Sequence, residues 1–137
     1  MSSEAADRIH SAAIHLVRRV REVDGEMEIT PARASALSVL VFAGSRTLTE
    51  LAQMEQVTTA TMSRLVTAME REGLVRREPH ASDGRAAVLH ATPKARRILE
   101  RGRARRTALL DELFGDLSAR DREIVRQAAD IVDRAVL

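Results

Sequence analysis

The sequence predicts a mainly α-helical fold carrying one small β-hairpin, and three observations predict it. Apolar residues recur three or four positions apart through most of the chain, the spacing of a helix with one buried face. Threonine or serine stands immediately before most of these stretches, where a hydroxyl can accept from the unpaired amides of a first turn. Only between residues 74 and 90 does the pattern break into short extended runs around a polar tip.

The first helix is expected over residues 5–23, with Ile9, Ala13, Leu16, Val20 and Val23 forming one stripe, and Asp24-Gly25 ends it. Thr30-Pro31 opens the second: the threonine caps, and proline at the first helical position sacrifices no hydrogen bond. This helix carries Ala34, Leu37, Leu40 and Val41 and stops near Gly44. Thr47-Leu48-Thr49-Glu50 has the spacing of a reciprocal capping box and starts a short helix with Leu51 and Ala52 inward. After a tight turn near Gln56-Val57, Thr58 caps a helix that runs through Met62, Leu65, Val66 and Met69 to Gly73, a left-handed stop.

Residues 74–78 and 86–90 read as the two strands of the hairpin, with Pro79, Ser82, Asp83 and Gly84 between them. Thr92-Pro93 repeats the helix-start signal for a long helix reaching about Phe114. Ser118, with Asp121 three residues on, caps a last helix that lines up Ile124, Ala128, Ile131 and Val132.

Bulk composition narrows the class. The 137 residues are 45% apolar and 31% charged, balanced for a globular protein and far from a disordered one. No apolar run approaches the roughly 20 residues that cross a bilayer, and MSSEAADRIH lacks a signal pattern, so a cytoplasmic protein with no membrane partner is expected. With no cysteine, thiol chemistry and disulfides are excluded. The net charge of +2 is unevenly spread: residues 58–106 hold Lys94 and eleven arginines against five acids, 12 − 5 = +7, and the remainder holds ten basic and fifteen acidic residues, −5. That asymmetry is the electrostatic footprint of a nucleic-acid-binding segment, although Arg96–Arg106 alone reads equally well as a solvated helix face.

The order of elements locates the binding surface. A short helix, a tight turn and a second helix with small polar residues at its start suit insertion into the major groove of double-stranded DNA, and the hairpin beyond them makes this a winged helix-turn-helix. Thr58, Thr59, Thr61, Ser63 and Arg64 lie at or near the start of that second helix. Hydroxyls and helix amides there can hold phosphates, and Arg64 can reach a guanine edge or a phosphate. Arg85 at the hairpin tip, beside Asp83, suits the adjacent minor groove, and Arg76 and Arg77 at its base suit phosphates.

Residues 30–95 resemble the multiple-antibiotic-resistance regulator (MarR) family. The resemblance is carried by Leu48-Thr49-Glu50-Leu51-Ala52, Thr61-Met62-Ser63-Arg64-Leu65-Val66 and Glu72-Gly73-Leu74-Val75, and above all by Asp83-Gly84-Arg85 followed by Ala86-Ala87-Val88-Leu89-His90-Ala91-Thr92-Pro93-Lys94. The family often has arginine at Gly84, leucine at Ala91 and glycine at Ala95; the first departure puts more weight on Arg85, and the others are packing changes. The resemblance implies one domain over 1–137, with a winged DNA-binding region at 30–95 and dimerisation helices at 1–24 and 96–137. It implies a homodimer acting as a repressor on a pseudo-palindromic operator, with half-sites about 10 base pairs apart. The terminal helices agree, since Ile9, Leu16, Leu109, Leu110, Leu113, Phe114, Leu117, Ile124, Ile131, Val136 and Leu137 offer more apolar surface than a small monomer needs.

The resemblance further implies release by a small aromatic or phenolic anion in a cleft near His15, Arg18, Leu37 and Leu40. Taken as residues alone, these four read as ordinary interface or surface positions. Catalysis is not expected: no nucleophile elbow, phosphate-cradling loop or dinucleotide fingerprint occurs, and Asp111, Glu112 and Asp121 read as helix-face charges. His10, His15, His80 and His90 show no metal-ligand spacing, so neither metal nor other cofactor is expected. Two other readings remain at this point, a protein-binding winged helix and a DNA binder indifferent to sequence.

Overall fold

The computed structural model describes residues 3–25, 28–79 and 86–136. The chain divides into two compact units, residues 24–103 and residues 1–23 with 104–137. Helix α1 (Ser3–Asp24) lies mainly in the terminal unit. The central unit then holds α2 (Pro31–Ser38), a π-helical turn (Val39–Ala43), β1 (Arg46–Thr47), α3 (Leu48–Met54), α4 (Thr59–Arg71), β2 (Val75–Pro79) and β3 (Ala87–Ala91). Helix α5 (Pro93–Gly115) belongs to both units, and α6 (Ala119–Val136) completes the terminal one.

The predicted helix starts form as their chemistry requires. Thr30, Thr47, Thr58, Thr92 and Ser118 each accept a hydrogen bond from the backbone amide three residues on, at 3.1 to 3.4 Å. At Thr47 the box is reciprocal, because the Glu50 carboxylate accepts from the Thr47 amide at 3.2 Å.

Both helices of the helix-turn-helix end in the same six-residue cap. For α4, Leu74 N donates to Met69 O at 2.8 Å and Gly73 N to Glu70 O at 3.0 Å, with Gly73 at φ +73°. For α3, Val57 N donates to Ala52 O and Gln56 N to Gln53 O, and Gln56 takes the left-handed position at φ +56°. This is the tight turn expected near Gln56-Val57, built on a residue with a side chain where glycine is usual.

Three features depart from the expected elements. The strands lie one residue later than expected, because Leu74 is used to close the α4 cap. A third strand, β1, pairs antiparallel with β3 (Arg46 opposite Leu89, Thr47 opposite Val88), so the sheet order is β1-β3-β2. The second helix loosens into a π turn over its last five residues before Gly44, at φ +91°, reverses the chain. Ser38 Oγ donates to Ala34 O at 2.7 Å, a back-bond that bends helices, immediately before the turn widens.

The core of the central unit draws on every one of its helices and on the sheet. Leu37, Leu51, Val66, Met69 and Leu89 are wholly buried, joined by Ile29, Leu40, Met62, Leu74, Val75, Ala95, Ile98 and Leu99. Complete burial of side chains of this size contributes about 1.5–3 kcal/mol each. Met62, Val66 and Met69 set the inward face of α4 and leave Thr58, Thr59, Thr61 and Arg64 outward. The terminal unit is different: no described residue of α6 is buried, and Ile9, Ile14 and Val17 of α1 are exposed.

Candidate nucleic-acid interface

The N-terminal end of α4 presents the expected group of polar side chains. Thr58 Oγ1 accepts from the Thr61 amide at 3.1 Å and donates to Thr61 Oγ1 at 2.9 Å, which locks both hydroxyls at the helix start. Thr59 is exposed, and Ser63 is half-buried one turn further on. Arg64 is exposed and has no hydrogen bond or ion pair to any described residue, so its guanidinium is available to an outside acceptor. The remaining amides of this first turn point along the helix axis, where the helix dipole favours an anion.

Arg64 also borders an open, largely apolar groove of about 360 Å³, lined by Ala32 and Arg33 of α2, Glu55, Val57, and Thr61, Leu65 and Ala68 of α4. A second cleft of about 330 Å³ is lined by Thr47, Leu48 and Thr49 and by Arg77, Ala86 and Ala87. This second cleft lies between the start of α3 and the base of the wing.

The two arginines at the base of the wing are in different states. Arg77 Nε donates to Glu70 Oε1 of α4 at 2.5 Å, with both side chains about one-third exposed. It ties the wing to the recognition helix. Arg76, on the opposite face of β2, is 60% exposed and meets Glu78 only at 3.5 Å. Sequence reasoning treated the two alike, since alternation along a strand separates their faces but does not say which face holds a carboxylate. Arg85 and Asp83 at the wing tip lie outside the described residues.

On the Arg76 face, His90 of β3 links the wing to the segment after the π turn. Its Nδ1 is 2.6 Å from Ser45 Oγ. Its Nε2 is shielded from solvent and lies 2.9 Å from Glu78 Oε2, off the line that a hydrogen bond needs. Sequence reasoning did not pick out Ser45, and no local signal marks it: its partner is 45 residues away.

The four residues proposed for a small anion are not alike either. Leu37 and Leu40 are sealed in the core of the central unit, 0% and 2% exposed. His15 and Arg18 are exposed on α1 in the terminal unit. Arg18 lines an open groove of about 400 Å³ with His10, Ala13, Ile14, Val17 and Arg21. Among the described residues, no three His, Cys, Asp or Glu side chains gather as they would around a metal ion, and no helix is long and apolar enough to cross a membrane.

Comparison with known proteins gives a consistent result. The model of the MarR family matches residues 29–87, from the residue before the α2 cap into β3. An HTH-type transcriptional regulator of Mycobacterium leprae is 29% identical over 127 residues, 93% of this chain and 89% of that protein. Among solved structures, a MarR family protein of Bacillus stearothermophilus is 25% identical with a TM-score of 0.77, covering 97% of this chain and 93% of that one. A transcriptional regulator of Thermotoga maritima shares the fold with a TM-score of 0.85 at 22% identity, over 98% and 94% of the two chains.

Proposed function

Because this chain belongs to the MarR family of DNA-binding transcriptional regulators, we propose that it acts as a homodimeric repressor on a pseudo-palindromic operator. The observation that carries the DNA-reading half of this proposal is the exposed, hydroxyl-lined start of α4, with Arg64 beside it unpaired among the described residues. In this reading the Thr58, Thr59 and Thr61 end of α4 enters the major groove, where helix amides and hydroxyls hold phosphate and Arg64 reads a base edge or a phosphate. Arg85 takes the adjacent minor groove, and Asp83 belongs to the same DNA-binding segment.

The dimer rests on the terminal helices. Ile124, Ile131, Val132 and Val136 of α6 are 41–72% exposed, and Ile9, Leu16 and Val17 of α1 are 37–50% exposed. A run of large aliphatic groups on helix faces that nothing described covers calls for a partner surface, and a second copy supplies an identical one. Residues 1–24 and 96–137 are then dimerisation helices around the winged region at 30–95. A small aromatic or phenolic anion would act by favouring a half-site spacing that the operator cannot accept. Arg18, exposed and facing a groove, is the better-placed of the proposed contacts; Leu37 and Leu40 would have to leave the core to take part.

The test is a gel shift of the DNA immediately upstream of the chain's own gene against a scrambled duplex of equal length, at two salt concentrations. Selective binding with two chains per duplex, weakening steeply as salt rises, is the expected result. Binding indifferent to sequence would instead favour a non-specific DNA binder, and no binding to any duplex at low salt would favour a protein-binding winged helix.

A further inference from the structure

Two carboxylates stand at the wrong end of the recognition helix. Glu70 lies in the last turn of α4 and Glu72 is its C-terminal cap residue. Uncapped carbonyls give that end a partial negative charge, which disfavours acidic side chains. Each carboxylate is compensated by an arginine from a different element. One Nη1 of Arg33, in the first turn of α2, donates to both oxygens of Glu72 at 2.6 and 2.7 Å. Arg77 of β2 donates to Glu70. The side chains of these two pairs are only 25–43% exposed, so solvent screens them less than ordinary surface pairs.

The backbone at the same point is held from α5. Lys94 Nζ donates to Glu72 O at 2.7 Å, and Thr92 Oγ1 donates to Gly73 O at 2.6 Å. The C-terminal end of α4 is thus fixed by α2, β2 and α5, while its N-terminal end is free to meet a ligand.

We infer that Glu70 and Glu72 are positioning residues for DNA reading, which hold the rotation of α4 through Arg77 and Arg33. The inference rests on the operator-reading function proposed above. Two residues apart on a helix is a rotation of about 200°, so the two pairs pull on nearly opposite sides of α4. Turning the helix either way lengthens one of them. A rotation of about 20° at a side-chain radius of about 6 Å moves a tip by about 2 Å, enough to lose a hydrogen bond to a base edge. In this role Arg77 is a strut between wing and recognition helix, and its charge is not directed at phosphate.

The test uses the full chain with Glu70→Gln, Glu72→Gln, the double variant, and the reciprocal swap Arg33→Glu with Glu72→Arg. Glutamine keeps the shape of each side chain and removes its charge. The probes are the tightest duplex recovered by selection from a randomised pool and a scrambled duplex of the same composition. The double variant is expected to lower the ratio of selected to scrambled affinity by about tenfold, the scale of one lost base contact. Affinity for the scrambled duplex should hold or rise, since two negative charges are gone. The swap should restore most of the ratio that Glu72→Gln loses.

An unchanged ratio in the double variant, with its melting temperature close to wild type, would overturn the inference. So would a Glu70→Gln variant that binds the selected duplex more tightly with a steeper salt dependence, because Arg77 would then be a phosphate ligand held back by Glu70. If the double variant does not fold, the singles and the swap decide by the same ratio. A wild-type chain that shows no selectivity would sink the operator-reading function itself, and this inference with it.

Discussion

Replacing Ile131 with aspartate tests the apolar face of α6 with a magnitude that the structure supplies. In one chain Ile131 is 58% exposed, so the substitution should cost an isolated protomer only about 1 kcal/mol, from the part of the side chain already covered. If that face is covered by a second copy, the exposed part of the side chain is what association buries. Complete burial of isoleucine is worth about 1.5–3 kcal/mol, so covering the exposed fraction in both copies stabilises a dimer by about 2–3 kcal/mol. The charged replacement then raises the dimer dissociation constant at least about 30- to 150-fold. Sedimentation equilibrium across a dilution series reads the constant directly, and Ala129→Asp, on the charged side of the same helix, is the control. The wild-type melting temperature should also depend on concentration, and this dependence should shift in Ile131→Asp. An Ile131→Asp chain that associates and melts like wild type would refute the reasoning: this face would then not be the dimer surface.

Four further outcomes follow from the same structure. Arg64→Ala should weaken the selected duplex by about 1–3 kcal/mol, seen in titrations against selected and scrambled DNA, with the loss confined to the selected one if Arg64 reads a base. Arg76→Ala should flatten the plot of log affinity against log salt by about 0.9, whereas Arg77→Ala should leave its slope unchanged, because Arg76 is the more exposed and meets Glu78 only at 3.5 Å while Arg77 is held closely by Glu70. Gln56→Gly should raise stability by up to about 1 kcal/mol in urea unfolding, since φ +56° is strained for a residue with a Cβ. The Glu123 carboxyl is lowered from 4.5 to about 2 by hydrogen bonds from Arg126 and Gln127. Its contribution is therefore fully present above about pH 4.5 and lost as pH falls through about 2, and an NMR titration should find that midpoint return toward 4.5 in Arg126→Ala.

The sequence was most legible where structure is decided within three or four residues. Each of the five cap hydroxyls accepts the amide it was expected to accept, and Gly73 is left-handed as expected. These signals are local, because a cap residue and its amide are fixed by the same turn. The first losses come where an element is too short to have a period: β1 is two residues long, and Arg46-Thr47 cannot alternate visibly. The π turn was missed for another reason. Val39-Leu40-Val41 continues the apolar pattern of α2 without interruption, and the hydrogen bonding changes beneath it. Gln56 is a mixed case: the tight turn was expected there, but its left-handed backbone at φ +56° falls on a residue that does not prefer it and so carries no residue-type signal.

The candidate interface divides along the same line, between what is near and what is far in the chain. Its polar start and its outward arginine come from one continuous stretch, residues 58–64, and were readable. The arrangement of the other cations depends on contacts such as Arg33 with Glu72, 39 residues apart, and Arg101 with Glu28, 73 apart. The +7 of residues 58–106 therefore overstates the charge offered to phosphate. Arg77 is held by Glu70, Lys94 by a backbone carbonyl and Arg101 by Glu28, and Arg103, Arg105 and Arg106 also have interactions within the protein. What remains on α4 is Arg64 and Arg71, both exposed. If Arg64 reads a base, selectivity depends less on how many arginines the segment contains than on how firmly α4 is held while Arg64 searches a groove. In this protein two of the cations removed from the phosphate count, Arg77 and Lys94, contact the C-terminal end of α4, as does Arg33 of α2.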